Sequence, residues 1–136
     1  PLDKLDIDAC CKKWPEWNEI EQNAIKLFEN TNFLDVAIKQ SKDKYITRDE
    51  LRIQLEKLKK IWIYLKDIVS RQLISSEEAK KKLLTIGAPT EPEQIGITKE
   101  RMKSSFVRAW YIRSRFTILD VAVRTCYLEK WLDEIY

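Results

Sequence analysis

The feature that most constrains the fold is a long stripe of apolar residues whose spacing alternates between four and three. It lies within residues 48–73 and consists of Leu51, Leu55, Leu58, Trp62, Leu65 and Val69, with Ile61 and Ile68 widening it. Such steps place side chains on one face of an α-helix. The stripe therefore predicts an amphipathic helix about 39 Å long, at a rise of about 1.5 Å per residue. We expect this face to pack into a core. The alternative is a coiled-coil seam, which we favour less because the stripe extends over fewer than four heptads.

The same periodicity continues through the rest of the chain and is interrupted by capping motifs. Thr47 and Glu50 have the spacing of a capping box, and Ser75, Thr98 and Thr117 stand before three further apolar runs. No stretch alternates with period two for long enough to propose a strand. The predicted helices cover about residues 6–13, 16–29, 33–42, 48–73, 76–86, 99–115 and 118–135. The last is either a new helix or a bent continuation of the one before it. We therefore predict an all-α fold, an irregular bundle of six to eight helices that forms a single domain over residues 1–136.

The periodicity also predicts which residues are buried and where helices end. We expect the segment 118–123, apolar on most faces except Asp120, to be the most buried part of the chain. Gly87 should end the helix before it in a left-handed conformation. The further expectations are that Phe33, Val36 and Ala37 face inward and that Thr90 and Glu93 cap a single turn ended by Gly96.

Composition excludes several kinds of site. The 136 residues include no histidine and only two glycines, Gly87 and Gly96. Without imidazole there is no histidine ligand or base, and without a glycine-rich loop there is no phosphate cradle of the usual kind. The net charge of +3 is small and the signs are mixed, which is typical of solvated helices rather than of a nucleic-acid interface. We therefore predict no catalytic, metal-binding or cofactor-binding residue in this chain.

Location is indicated by the apolar runs and the cysteines. No run approaches the roughly 20 apolar residues of a membrane span, and the acidic start, PLDKLDIDACC, lacks the basic region of a secretory signal. The three cysteines, Cys10, Cys11 and Cys126, are an odd number with two adjacent, and we interpret them as reduced thiols. We expect a cytoplasmic protein that binds neither membrane nor nucleic acid.

Two clusters of charged residues have alternative interpretations. Asp3, Asp6 and Asp8 lack the glycine and glutamate of a calcium-binding loop, so acids at a helix start explain them better. Arg108, Arg113 and Arg115 alternate with aromatic residues; on one continuous helix, Arg108 and Arg115 would share a face and Arg113 would point elsewhere. We favour a structural role, in which Arg113 or Arg115 pairs with Asp120 or with carbonyls at a helix C-terminus. The alternatives are a ligand cleft or domain interface and, least favoured, nucleic-acid binding.

Residues 84–123 carry a resemblance to a known family. The run GAPTEPEQIGITKER is followed by the pattern A-x-x-I-R-x-R-[FY]-T-x-L-D, which ends at Asp120 and includes Arg113 and Arg115. This combination resembles the C-terminal signature of sn-glycerol-1-phosphate dehydrogenases, within the superfamily of iron-containing alcohol dehydrogenases and dehydroquinate synthases. The early stretch LDKLDIDACCKKWPEW is similar to the family segment after the last metal ligand, whereas residues 30–80 agree mainly in helical character.

The resemblance implies that the parent protein is an NAD(P)-dependent dehydrogenase. It would interconvert dihydroxyacetone phosphate and sn-glycerol-1-phosphate, using zinc or nickel bound by one aspartate and two histidines that precede this segment. The expected partner is the N-terminal nucleotide-binding domain of the same protein, and a homodimer is possible. Arg113, Arg115 and Asp120 match the family pattern without an assigned role. Because the chain begins with Pro1, we expect its N-terminus to lie inside a longer gene product or at an artificial boundary. The resemblance implies that it is the C-terminal part of the enzyme, and because it has no histidine we expect it to be inactive alone. The alternative is a non-catalytic helical module for protein interaction or dimerisation.

Overall fold

The computed structural model describes residues 2–136, and every regular element in that range is a helix. The all-α prediction of six to eight helices is therefore confirmed. Two short 3-10 turns, Leu2–Lys4 and Pro92–Ile95, accompany the α-helices. The α-helices are α1 (Ile7–Lys13), α2 (Trp17–Phe28), α3 (Leu34–Lys44), α4 (Arg48–Gln72), α5 (Ser76–Thr85), α6 (Lys99–Tyr111), α7 (Ile118–Arg124) and α8 (Leu128–Ile135).

Four of the predicted helix caps are confirmed. The side-chain oxygens of Thr47, Ser75, Thr98 and Thr117 each accept a backbone N–H from the first turn of the helix that follows. These bonds satisfy donors that have no partner within the helix, which is why such residues mark helix starts. Gly87 adopts the predicted left-handed conformation with φ of 70° after α5.

The predicted cap at Thr90 is wrong, because the residue before the proline takes that position. Pro92 is the first residue of the 3-10 turn, where its fixed φ and missing N–H are tolerated, so Glu91 becomes the cap. Gln94 rather than Glu93 completes the box, with its Oε1 accepting the Glu91 N–H at 3.0 Å. The turn ends at Gly96 as predicted, with φ of 73°.

The core lies where α1, α2 and α3 meet the first turns of α4 and the end of α6. α2 packs along α3, α1 along α4, and α3 against α6, while α7 connects α6 to α8. Ala24, Ala37 and Leu51 have no exposed surface. The inward prediction is confirmed for Ala37 and is wrong for Phe33 and Val36, which are exposed. Helix α3 buries the face that carries Ala37 and Ser41, four residues apart, and this leaves Val36 outside.

Helix α6 ends at Tyr111, four residues before the predicted end, because side chains of α3 take over its last hydrogen bonds. If the helix continued, the Ser114 N–H would donate to the Trp110 carbonyl. Instead it donates to Gln40 Oε1 at 2.9 Å, and Lys44 Nζ donates to the Trp110 carbonyl. Ser41 Oγ likewise donates to the Tyr111 carbonyl at 3.2 Å. Residues 113–117 consequently leave the helix as a short connection to α7.

The apolar stripe of α4 is buried only along its first half. Leu51 and Leu55 lie in the core, but Val69 is 42% exposed, and Ile63 beside the stripe is 84% exposed. No residue of α5 is buried, although the helix carries Leu83 and Leu84. The prediction of a fully core-facing α4 is therefore wrong for its second half. We call the second half of α4 together with α5 the uncovered face.

The segment 118–123 is buried on one side only. Asp120, Val121 and Ala122 are buried, whereas Ile118 is 64% exposed, so the prediction holds for the middle of the segment. Helix α7 has only seven residues and presents one face to α6 and α8. The prediction of one helix over residues 118–135 is wrong, because Cys126, with φ of 58°, separates α7 from α8. Among the described residues, no helix has the length and apolar character needed to cross a membrane.

Candidate functional site

A surface depression lies between the start of α3 and the connection after α6, and it contains two of the three motif residues. It encloses about 440 Å³, which lies within the size range of small-molecule sites. Its lining combines apolar, amide and guanidinium groups. The lining residues are Phe33, Val36, Gln40, Ile112, Arg113, Ser114 and Arg115. We call it the arginine depression.

The backbone that carries Arg113 and Arg115 is held at both ends. On one side, Gln40 accepts the Ser114 N–H and Ser41 bonds the Tyr111 carbonyl. On the other side, the Thr117 N–H donates to Asp120 Oδ2 at 2.7 Å, which begins α7. A short connection fixed in this way presents its side chains from a defined position, and a binding site requires that.

The predicted pairing of Arg113 or Arg115 with Asp120 is wrong. Asp120 is fully buried and forms its ion pair with Lys44, with Nζ and Oδ1 3.2 Å apart. Trp110 Nε1 donates to the same Oδ1 at 3.0 Å, and Oδ2 accepts from Thr117. A buried carboxylate must have such partners, because an unpaired charge inside a protein is costly. The motif thus divides into a buried structural aspartate and two surface arginines.

Lys44 and Arg124 were not singled out in the sequence, yet both are buried beside Asp120. Burial lowers the pKa of the Lys44 ammonium, and Asp120 opposes this shift. The Arg124 guanidinium donates to the Lys44 carbonyl at 3.0 Å and to Gln54, while its Nε has no partner among the described residues. An aspartate predicted to be buried is expected to have a cationic partner, but the sequence does not identify which residue that is. Lys44 ends α3 and Asp120 lies in α7, so only tertiary packing brings them together.

Arg108 does not join the other two arginines. Because α6 ends at Tyr111, Arg115 is no longer on the same helix, and the expected shared face of Arg108 and Arg115 does not form. The Arg108 guanidinium lies 5.5 Å from the centre of the Phe28 ring, a cation–π position. Arg113, expected to point elsewhere, lines the same depression as Arg115.

A second groove, of about 330 Å³, runs between α4 and α7. Its walls are mostly apolar and include Leu58, Ile61 and Phe116, and Arg124 lies within it. It adjoins the uncovered face, since Ile61 and Leu65 belong to the second half of α4. The groove is suited to an apolar partner more than to a polar substrate.

The acids and thiols near the N-terminus have structural surroundings. Asp6 Oδ1 accepts the Ala9 N–H at 2.9 Å and so caps α1, and Asp8 pairs with Arg52 at 2.6 Å. Burial, with a smaller contribution from Cys126, raises the pKa of the Cys10 thiol to about 12, so it is not a thiolate nucleophile at neutral pH. In residues 2–136, no three Cys, Asp or Glu side chains are grouped so that they would hold a metal ion.

Comparisons with protein-family models, with curated proteins and with solved structures found no match to this chain.

Proposed function

We propose that the chain is the C-terminal helical domain of an NAD(P)- and metal-dependent sn-glycerol-1-phosphate dehydrogenase. The observation that carries the proposal is the segment 84–123, in which GAPTEPEQIGITKER precedes the Arg113, Arg115 and Asp120 pattern at the family's spacing. In this proposal the nucleotide, the metal and the hydride transfer belong to a preceding α/β domain, which is the partner of these helices. The enzyme would act in the cytoplasm, in phospholipid metabolism.

The distribution of apolar surface supports a role as part of a larger assembly. The uncovered face exposes large side chains, among them Ile63, Tyr64 and Leu84, each more than half exposed. Isolated apolar residues on a surface are common, but a row of them along two helices is typical of a surface that binds another protein surface. We infer that this face packs against the rest of the enzyme.

The arginine depression supports the same proposal from the chemical side. Guanidinium groups bind phosphate and carboxylate oxygens in bidentate geometry, and dihydroxyacetone phosphate carries such a group. The chain offers no residue set for hydride transfer, so its contribution to the enzyme is to shape and close a cleft. Residues that activate the substrate belong, in this proposal, to the other domain.

A second candidate is a non-catalytic helical module that binds a protein partner or forms a dimer. The uncovered face favours it equally, since the face needs a partner but does not identify one. The two candidates differ in what the gene encodes before residue 1. The dehydrogenase proposal predicts an upstream reading frame with one aspartate and two histidines as metal ligands, and a glycine-rich loop after a strand. A start codon immediately before Pro1 would instead support the interaction module.

A further inference from the structure

We propose that the arginine depression is a binding site for the dianionic phosphate group of a phosphate monoester. This inference rests on the proposed function and deepens it, because it assigns the phosphate group of the proposed substrate to Arg113 and Arg115. It rests on the charge, the anchoring and the lining of the depression.

The depression has two cationic groups and no acidic one. Arg113 and Arg115 are exposed, and neither forms an ion pair with a carboxylate of residues 2–136. Of the other five exposed arginines in residues 2–136, three form such pairs, Arg48 with Glu16, Arg52 with Asp8 and Arg71 with Asp67, whereas Arg101 and Arg108 do not. Two unpaired guanidinium groups on one rim therefore form a local excess of positive charge.

A phosphate monoester fits this excess better than a single carboxylate does. Its terminal group carries close to two negative charges at neutral pH and three acceptor oxygens, so it can engage two guanidinium groups at once. A lone carboxylate would leave one of the two positive charges unneutralised. The phosphate charge therefore matches Arg113 and Arg115 together.

The connection is fixed before any ligand arrives. Gln40 accepts a hydrogen bond from the Ser114 N–H, and Asp120 accepts one from the Thr117 N–H. Asp120 is in turn fixed by its ion pair with the buried Lys44. Ordering a mobile loop on binding would weaken affinity, whereas an anchored loop avoids that cost. The exposed Phe33 and the adjacent Val36 form the apolar part of the depression, beside which the carbon skeleton of a small ester can lie.

The test is a titration of the 136-residue chain with inorganic phosphate and with glycerol phosphate, followed by backbone amide NMR at constant ionic strength. We expect saturable shifts at residues 33–40 and 112–116. Arg113→Gln and Arg115→Gln should each weaken binding about tenfold, the loss expected for a charge-assisted hydrogen-bond pair. Arg113→Lys should recover only part of it, because a lysine cannot form the bidentate contact.

The matched control is Arg101→Gln, which removes one exposed positive charge from the start of α6. Its affinity for phosphate should equal that of the wild type. The proposal is overturned if phosphate causes no saturable shifts, or if Arg101→Gln weakens binding as much as Arg113→Gln. It is also overturned if acetate or an acidic peptide binds the depression more tightly than phosphate does, since the site would then recognise carboxylates. None of these outcomes depends on dehydrogenase activity, so a failure here is separate from a failure of the proposed function.

Discussion

A single carboxylate, that of Asp120, connects three helices at the centre of the molecule. It pairs with Lys44 of α3, accepts from Trp110 of α6 and caps α7 through Thr117. Lys44 is buried to a similar degree, so the ammonium depends on this one counter-charge. The arrangement stabilises the fold as long as both members are present.

Replacing Asp120 by asparagine should therefore destabilise the fold strongly. Asp120→Asn keeps the shape but leaves the Lys44 ammonium buried without its counter-charge, and breaking such a pair costs about 3–5 kcal/mol of unfolding free energy. Urea denaturation monitored by circular dichroism measures the loss. Asp67→Asn, which breaks the exposed pair with Arg71, is the control and should cost less than about 1 kcal/mol. Equal effects of the two substitutions would contradict the role given to Asp120.

The Cys10 thiol gives the stability a defined alkaline dependence. Burial raises its pKa from 9.0 to about 12, so above pH 9 the unfolded chain loses a proton that the folded chain retains. The unfolded state then binds fewer protons, and stability falls as pH rises, by up to about 1.4 kcal/mol per pH unit. The difference in unfolding free energy between wild type and Cys10→Ala should shrink from pH 8 to pH 10.5. Parallel pH profiles for the two proteins would show that this thiol does not titrate as described.

At the scale of helices, most starts and the ends marked by Gly87 and Gly96 were predictable, but the end of α6 was not. Thr47, Ser75 and Thr117 begin helices through hydrogen bonds to residues two or three positions away, so a local motif contains the whole signal. The end of α6 depends instead on Gln40, Ser41 and Lys44, which are distant in the chain. No local pattern around residues 111–115 carries that information.

The arginine depression was missed for the same reason. Had α6 continued to residue 115, Arg113 and Arg115 would have pointed in different directions. Because α3 ends the helix early, both line one surface feature with Phe33 and Val36. The sequence identified the residues but not their arrangement, since the arrangement follows from a tertiary contact.

Two helix caps should differ in their effect on stability. Thr47→Ala removes the cap of α4, whose first turns are in the core, and should lower the global unfolding free energy by about 1 kcal/mol. Ser75→Ala removes the cap of α5, which has no buried residue, and should leave the urea midpoint unchanged. Amide hydrogen exchange should instead show faster local opening of α5. A midpoint shift for Ser75→Ala as large as that for Thr47→Ala would mean that α5 is coupled to the core.

For the whole molecule, the main feature is the contrast between a packed core and the uncovered face. The apolar stripe of α4 continues past the core. Its helical period was predicted correctly, but the burial predicted for its second half was wrong. Periodicity reports which face of a helix is apolar, but it does not report what covers that face. Within residues 2–136, Trp62 packs against the core, but no residue of α4 beyond Trp62 does.

This face should make the isolated chain bind hydrophobic dyes and associate. Ile63→Asn combined with Leu84→Asn should lower dye fluorescence and self-association, measured by size-exclusion chromatography with light scattering. Because both side chains are mostly exposed, the unfolding free energy should change by less than about 0.5 kcal/mol per site. A wild-type chain that is strictly monomeric and binds no dye would contradict the interpretation of the face as an interface.

The most direct test of the proposed function compares the 136-residue chain with the product of the entire reading frame that encodes it. Both are assayed for reduction of dihydroxyacetone phosphate by NADH and NADPH, with nickel or zinc, and the configuration of the product is determined. The account predicts that the complete product forms sn-glycerol-1-phosphate in a metal-dependent reaction, and that the 136 residues alone show neither turnover nor stoichiometric metal. Turnover by the isolated chain, or a complete product without this activity, would contradict it.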